Sequence, residues 1–341
     1  MINKYFKNQK NNSYNFIIYM VIGFALLFLG ILLSIAIGAA SIKFSDVISA
    51  IFEFDSSVIA HQTIREIRIP RTIANILVGA GFAIAGSIMQ GVTRNPLADS
   101  GLLGINSGAG LALAISFSFF PDMSYTKIIL FSFVGASIGV GITYYISSSD
   151  NSDIRPDRLI LAGTTVSLLF LALSQFVAIT GNVGQQITYW NVGGVANVGF
   201  QELKFVTPWF LIATVASIII SPSVTILNLG EDLAKGLGQR TKLIKIISII
   251  LVLILSSIAV TLVGPVGFVG LIIPHIVRFF VGDDYRFVIP TSGLFGAIFM
   301  LFADVFGRVI NAPYETPLGI IFAIIGVPFF LYISRKERMG F

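Results

Sequence analysis

The residue types that most often carry chemistry in proteins are scarce in this chain. It has no cysteine and only two histidines, His61 and His275, which are far apart in sequence. Disulfides, thiolate nucleophiles and Cys-based metal sites are therefore excluded, and two distant histidines do not form a metal or catalytic cluster. No Gly-xxxx-Gly-Lys-Ser/Thr phosphate loop occurs, so ATP-driven work would need another subunit. We predict a protein that is not an enzyme, with no cofactor, no metal site and no catalytic residue.

A short polar segment, residues 228–238, has the pattern of a surface helix. Leucines at positions 229, 233 and 237 share one helical face, and Glu231 and Lys235 form an i,i+4 pair on another face. Asn228 is predicted to cap the helix, with Glu231 three residues later, and Gly238 to end it. Such a helix either rests on a membrane surface or binds a partner, and this pattern alone leaves both open.

The composition identifies the elements that must position these residues. Of the 341 residues, 55% are hydrophobic and only 11% are charged, where soluble domains carry about 25% charged residues; the mean hydropathy is +0.89. The chain is therefore predicted to be an all-α, polytopic membrane protein in contact with lipid. Its net charge of +5 needs no nucleic acid to explain it, because the basic residues cluster where membrane topology favours them.

About 20 apolar residues cross a bilayer as a helix, and the chain contains enough such runs for about ten transmembrane helices. The predicted spans are residues 17–40, 72–93, 101–120, 128–149, 159–180, 205–228, 246–268, 287–303 and 316–334, with a shorter apolar piece at 270–281. Small residues at helical spacing, as in Gly79-xxx-Ala83 and Gly135-xxx-Gly139, predict close packing of helix backbones.

Basic residues predict the orientation. They flank both ends of the chain, so the positive-inside rule places residues 1–15 and 335–341 in the cytoplasm as tails of a transmembrane domain over residues 16–334. The same alternation places the loop 225–242 inside. Arg65, Arg68 and Arg71 then lie outside, against the rule. They indicate either an anionic partner outside or interfacial snorkelling.

Two irregular segments interrupt the apolar pattern. Residues 93–101 contain Asn95-Pro96, which predicts a turn on the cytoplasmic side. Residues 264–275 combine Gly264, Pro265 and Gly267 with a further glycine and proline at membrane depth. Broken backbone there must be buried in protein or face a water-filled cavity, so this segment is either a tight turn or part of a pathway or hinge.

Carboxylates bear on the coupling mechanism. Asp304 and Glu315 are predicted near the outer ends of helices, and Asp99 in a cytoplasmic turn. An ion-coupled secondary transporter would normally keep an ionisable group deep in its bundle. The pattern argues against secondary transport, which remains the alternative function.

Beyond these patterns, nine motifs match one known family in order, from about residue 15 to the C-terminus. They are Arg68-Ile-Pro-Arg71, Gly86-xxx-Gln90, Asn95-Pro-Leu-Ala98 with Leu103-Gly104 and Ser107-Gly108-Ala109, Leu161-Ala-Gly163, Trp190-xx-Gly193, Leu229-Gly-Glu231 with Leu237-Gly238, Phe268-Val-Gly-Leu271 with Pro274-His275 and Arg278, Ala303-Asp304 with Arg308, and Glu315-Thr-Pro-Leu-Gly319. The chain resembles the FecCD-type permease subunit of the ABC importers for iron–siderophore complexes, haem and cobalamin.

The resemblance implies a type II ABC importer permease fold of ten helices and an ATP-driven importer that works by alternating access. Its partners would be a second permease subunit, identical or paralogous, a cytoplasmic ABC ATPase dimer and an extracytoplasmic binding protein. A ferric siderophore is the expected cargo because that class dominates the family, although no residue here identifies the chelate.

The resemblance also implies roles for particular residues. The ATPase-coupling helix would comprise Leu229, Gly230, Glu231, Leu233, Ala234, Leu237 and Gly238. The binding protein would dock on Arg68, Arg71 and Arg308. The family's inner gate falls on Pro156 and Asp157, where the cobalamin permease has small hydroxyl residues, and Gly264, Pro265 and Gly267 would belong to the pathway.

Overall fold

A computed structural model describes residues 2–38, 44–147, 156–195, 198–312 and 314–338. The side chains of residues 2–13, 44, 51, 102, 156, 157 and 336–338 lie outside this description. Every regular element in the described ranges is helical, which confirms the all-α prediction.

Fourteen α-helices follow one another in the described ranges. They are α1 (Ile2–Ala36), α2 (Phe44–Phe52), α3 (Ile59–Gln62), α4 (Ile69–Thr93), α5 (Ile105–Phe119), α6 (Tyr125–Ser147), α7 (Pro156–Thr180), α8 (Gly184–Val192), α9 (Phe200–Asn228), α10 (Glu231–Gly236), α11 (Thr241–Val263), α12 (Val269–Val281), α13 (Tyr285–Val309) and α14 (Leu318–Arg338). A π-helical turn, Thr63–Arg68, joins α3 to α4, and a 3-10 turn, Ser100–Leu103, precedes α5.

Ten of these helices account for the predicted membrane crossings. Within the described residues, eight segments are long and apolar enough to cross a membrane, and α5 and α12 are shorter apolar helices. Eight of the ten predicted segments are therefore confirmed as long apolar helices, and α5 and α12 occupy the other two predicted positions. Burial differs strongly among them, since 89% of the most apolar window in the segment containing α4 is buried, against 11% for α1.

Helix α4 lies at the centre because its glycines let neighbouring backbones touch it. A methyl group on Gly79 would overlap the carbonyl oxygen of Gly296 in α13, and one on Gly86 would overlap the carbonyl oxygen of Gly270 in α12. The Gln90 amide then donates to the Gly270 and Leu271 carbonyls, both at 3.3 Å. The predicted close packing at Gly79 is thus observed, as it is between α5 and α6, where Gly108 and Gly135 face each other's carbonyls.

Three predicted boundaries were wrong. The third span, predicted at 101–120, is a 15-residue helix, α5, because a 3-10 turn occupies its start. Helix α13 continues to Val309, so Asp304 and Arg308 lie one helical turn apart instead of in a loop. Arg71 lies in the first turn of α4, where Pro70 pre-sets the backbone for a helix.

The packing at Gly86 yields a first prediction. Gly86→Ala should lower stability by about 1–3 kcal/mol, because a buried methyl has nowhere to go without separating α4 from α12. Gly141→Ala in α6 is the matched control, since no atom of the described residues lies within 4 Å of its added carbon. Thermal unfolding of the purified protein in detergent measures both, and equal melting temperatures would contradict the proposed contact.

Candidate functional site

The loop helix, residues 229–238, is built by two glycines. Helix α9 continues through Asn228, so the prediction that Asn228 caps the next helix was wrong. The chain turns instead at Gly230, whose φ of +132° suits glycine and few other residues. At the other end Gly238 has φ +80°, and its N–H donates to the Lys235 carbonyl at 2.9 Å. The predicted stop at Gly238 is confirmed.

One face of the loop helix is apolar and open. The side chains of Leu229, Leu233 and Leu237 are 63%, 61% and 70% exposed, whereas Ala234 on the other face is fully buried. The predicted leucine face therefore exists, and nothing in the described part of the chain covers it. Exposed apolar residues of this size, side by side on one helix, are typical of a surface that meets another body.

The opposite face of the loop helix is fastened by Glu231. Its carboxylate accepts from Lys245 Nζ in α11 at 2.6 Å and from Thr241 Oγ1 at 3.3 Å. The predicted i,i+4 pair with Lys235 also forms, but at 3.5 Å and with Lys235 46% exposed, against 8% for the Lys245 side chain. Lys245 is thus the principal partner, which helical spacing could not reveal because it lies fourteen residues away on another helix.

A second bond joins Gln239, the residue that follows the loop helix, to the preceding membrane helix. The Gln239 side-chain amide donates to the Ser223 carbonyl in α9 at 2.8 Å. With the Glu231–Lys245 pair, this bond ties the loop helix to both α9 and α11. The loop helix is therefore held to the bundle on one face and open on the other.

At the far end of α4 lies an arginine cluster, which we define as Arg68, Arg71, Asp304, Arg308 and Glu315. The two ends are about 35 Å apart, given 1.5 Å per residue between Arg71 and Arg94, and the Arg94 guanidinium lies near Gly230 of the loop helix. Arg71 is the centre of the cluster. It contacts Asp304 at 2.8 Å through Nη2 and Glu315 at 2.7 Å through Nη1.

The other two arginines hold the end of α1. Arg308 pairs with Asp304 at 3.0 Å and donates to the Ile37 carbonyl at 2.7 Å. Arg68 donates to the carbonyls of Ile35 and Ala36 at 2.8 and 2.7 Å. Carbonyls at a helix C-terminus lack intrahelical hydrogen-bond donors, and cationic side chains there can donate to them.

The structure thus brings the three predicted docking arginines together, but buries them. Arg68, Arg71 and Arg308 are only 4%, 8% and 4% exposed, while Arg65 is exposed and rests over the Phe54 ring at 4.5 Å. Sequence reasoning missed Asp304 and Glu315 as partners of Arg71, and Asp304 as a partner of Arg308. The alternation of the spans placed all five residues on one side, but only the fold shows these ion pairs. Their docking role stays a prediction.

Two irregular backbone segments, the one before α12 and the turn after α4, lie close together inside the bundle. Gly264 and Phe268 both have positive φ, +86° and +71°, just before α12 begins. The turn after α4 folds back, so that a carbon added at Gly270 would lie 3.3 Å from an Asp99 carboxylate oxygen. Gly270 packs on Gly86, seven residues, or about 10 Å, before the end of α4. The predicted turn directly follows α4, and because it folds back, Asp99 lies within the bundle.

A cavity of about 330 Å³ adjoins this irregular backbone. It lies among α5, α7 and α8, and every side chain in its lining is uncharged; the polar part comprises Asn106, Ser107, Ser167, Ser174, Gln175, Trp190 and Asn191. Among the described residues, the buried Asn106 Oδ1 and Trp190 Nε1 atoms have no hydrogen-bond partner. Such groups in native structures are typically satisfied by ordered water or a ligand.

The predicted gate and pathway residues are only partly gathered at this cavity. Pro265 lines it and Gly264 packs on the Trp190 carbonyl, whereas no described atom lies within 4 Å of a carbon added at Gly267. Pro156 and Asp157 begin α7, but their side chains lie outside the described part of the chain. Among the described residues, no group of three or more His, Asp or Glu could hold a metal ion.

Comparison with known proteins decides the family. Residues 26–336 match the FecCD transport family, which is more than nine-tenths of the chain. The chain belongs to the FecCD transport family. The iron(3+)-hydroxamate import system permease protein of Bacillus subtilis strain 168 is 44% identical over 97% of this chain and 86% of its own length. The Fe(3+)-citrate import system permease protein of the same organism is 39% identical over 98% and 99%.

A solved structure agrees with this assignment. It is described as an inward-facing conformation of a metal-chelate type ABC transporter, and it superposes with a TM-score of 0.80 at 28% identity, covering 92% of this chain and 97% of its own. This FecCD-family chain is accordingly an ABC importer permease subunit and not an enzyme. ATP hydrolysis belongs to a separate subunit, and secondary transport is not favoured.

The attachment of the loop helix yields a second prediction. Lys245→Met should leave the half-buried Glu231 carboxylate without its closest cation, and lower the free energy of local opening by about 1–3 kcal/mol. Lys235→Met should change it by less than about 0.5 kcal/mol, because exposed pairs contribute little. Amide hydrogen exchange over residues 229–238 in the membrane-embedded protein measures both. Equal protection in the two variants would contradict the assignment of Lys245 as the anchor.

Proposed function

We propose that this permease subunit carries a ferric siderophore, of the hydroxamate class, inward across the cytoplasmic membrane. The hydroxamate class is supported by the relative at 44% identity, which is named for iron(3+)-hydroxamate import, and the uncharged lining of the cavity suits a chelate of low net charge. The competing cargo is ferric citrate, which the relative at 39% identity is named for.

The proposed assembly contains two permease subunits, a cytoplasmic ATPase dimer and an extracytoplasmic binding protein, surrounded by lipid. The chain would form one transmembrane domain over residues 16–334, with residues 1–15 and 335–341 as cytoplasmic tails. Basic residues at both ends of the chain support this orientation. The loop helix would then face the cytoplasm and the arginine cluster the outside.

One observation carries the proposal that the loop helix docks on the ATPase. Its leucine face is open while its other face is fixed by the part-buried Glu231–Lys245 pair. A helix held in this way transmits force as a rigid body. When ATP closes the ATPase dimer, displacement of the loop helix would pass to α9 through Gln239 and to α11 through Glu231. The membrane helices would then tilt between inward-open and outward-open states.

The cavity supplies the proposed pathway. Its hydroxyl and amide side chains offer hydrogen bonds without fixed charge, so a passing chelate would be bound weakly enough to leave. The irregular segment with Gly264, Pro265 and Gly267 would act as the hinge beside it, and Pro156 and Asp157, at the start of α7, would lie at the inner gate.

The docking proposal predicts a loss of assembly. Leu233→Ser combined with Leu237→Ser should reduce copurification of the ATPase at least about tenfold, because both leucines would be central apolar contacts of the interface. Lys235→Gln, an exposed neighbour on the same helix, is the control and should retain the ATPase. Undiminished copurification of the leucine variant, with unchanged thermal stability, would contradict the docking role.

The cargo is tested by uptake of radioactive iron into cells that carry the permease with its own ATPase and binding protein. Iron supplied as ferric hydroxamate should accumulate in the cells. Its uptake should continue after the proton gradient is collapsed and should stop when the ATPase is inactivated by mutation. Accumulation of ferric citrate instead would refute the hydroxamate class. Uptake that stops when the proton gradient is collapsed, but continues when the ATPase is inactivated, would refute the importer mechanism and favour ion-coupled transport.

A further inference from the structure

Glu315 occupies the edge of Arg71 that a docking carboxylate would need. Both of its oxygens bind the guanidinium, with Nη1 to Oε1 at 2.7 Å and Nη2 to Oε2 at 3.0 Å. This parallel, two-point arrangement is the strongest geometry available to an arginine and a carboxylate. Arg71 Nε and Nη2 also bind Asp304, so the guanidinium has no unused edge.

The two carboxylates on Arg71 are not equivalent. Asp304 is within α13, its side chain is 1% exposed, and it is shared with Arg308. Glu315 comes from the turn between α13 and α14, and its side chain is 42% exposed. Asp304 is therefore a fixed partner, whereas Glu315 reaches Arg71 from the solvent side and can be replaced without opening the core.

We propose that Glu315 is an internal competitor for a carboxylate of the binding protein. This inference rests on the proposed assembly with a binding protein and on the predicted docking role of Arg68, Arg71 and Arg308. Docking then exchanges one carboxylate for another on Arg71, so the net charge around Arg71 is unchanged after exchange. The competitor keeps Arg71 satisfied when no binding protein is present and lowers the affinity of docking, which favours release after each transport cycle.

The position of Glu315 also connects docking to the cavity. In the same turn, the Thr316 N–H donates to the Gly307 carbonyl in α13 at 2.9 Å. Helix α14 starts two residues later, and a methyl at Gly319 would come within 2.8 Å of the Val192 carbonyl at the end of α8. Because α8 supplies Trp190 and Asn191 to the cavity lining, release of Glu315 loosens the turn that leads into α14, which packs on the end of α8.

The test compares docking of the purified binding protein to the permease–ATPase complex in lipid nanodiscs. Glu315→Gln keeps the side-chain shape and removes the competing charge, so docking should become about three- to tenfold tighter and more sensitive to salt. Asp122→Asn is the control and should leave the affinity unchanged. Asp122 is an exposed carboxylate, and because it follows the predicted span 101–120, the alternation of the spans puts it on the same side as Glu315. Unchanged or weaker docking of a thermally stable Glu315→Gln complex would overturn the competitor role.

Arg71→Gln separates this inference from the docking proposal beneath it, because Asp304 keeps Arg308 as its partner in that variant. If Arg71→Gln leaves the docking affinity unchanged, Arg71 has no docking role, and Glu315 then cannot be its competitor. If Arg71→Gln weakens docking while Glu315→Gln does not strengthen it, only the competitor role fails. Should Glu315→Gln not assemble, Glu315→Asp shortens the reach by one methylene and should tighten docking less; no tightening there would also overturn the proposal.

Discussion

The close approach of helix backbones at the glycines of α4 is the constraint on which the rest of the structure depends. Because Gly79 and Gly86 carry no side chain, α13 and α12 reach van der Waals contact with α4, and apolar surface that lipid would otherwise cover is packed against protein. Helix α4 then extends from the arginine cluster at one end to the neighbourhood of the loop helix at the other. Because α4 is a single helix, it fixes the position of the arginine cluster relative to that of the loop helix.

The second requirement is that charged groups inside the bundle find partners within the chain, since buried charges are costly unless paired. The structure meets this requirement differently at each end. At one end Arg71, Arg308 and Asp304 lock α4 and α13 together, and Arg68 completes the carbonyls of α1. At the other end the Glu231–Lys245 pair and the bond from Gln239 to Ser223 attach a helix that keeps its leucines exposed. The first arrangement stabilises the bundle, whereas the second leaves a surface available.

Much of this could be predicted from the sequence because it depends on local patterns. Apolar runs indicated ten membrane helices, Gly238 indicated the end of the loop helix, and leucine spacing indicated its apolar face. What failed depended on contacts between distant residues. Asn228 is a residue type that often caps helices, but α9 continues through Asn228. The chain therefore turns at Gly230 instead. The sequence places Asp99 in a turn after α4. Only the position of Gly270, between Gly86 and Asp99, shows that this turn folds back into the bundle. The pairing of Arg71 with Asp304 and Glu315 spans more than two hundred residues, which no periodicity reveals.

The central claim is that the leucine face of the loop helix is the contact through which ATP hydrolysis moves this permease. The chain has no cysteine, so a single introduced cysteine reports one position without background. Site-directed cross-linking in membranes with a short bismaleimide, between Leu233→Cys and single cysteines placed across the ATPase surface, tests the claim most directly. The account predicts efficient cross-links from Leu233→Cys that change with ATP, and none from Ile219→Cys, an equally exposed position inside α9. Absence of any ATPase cross-link from Leu233→Cys in an active complex would contradict it.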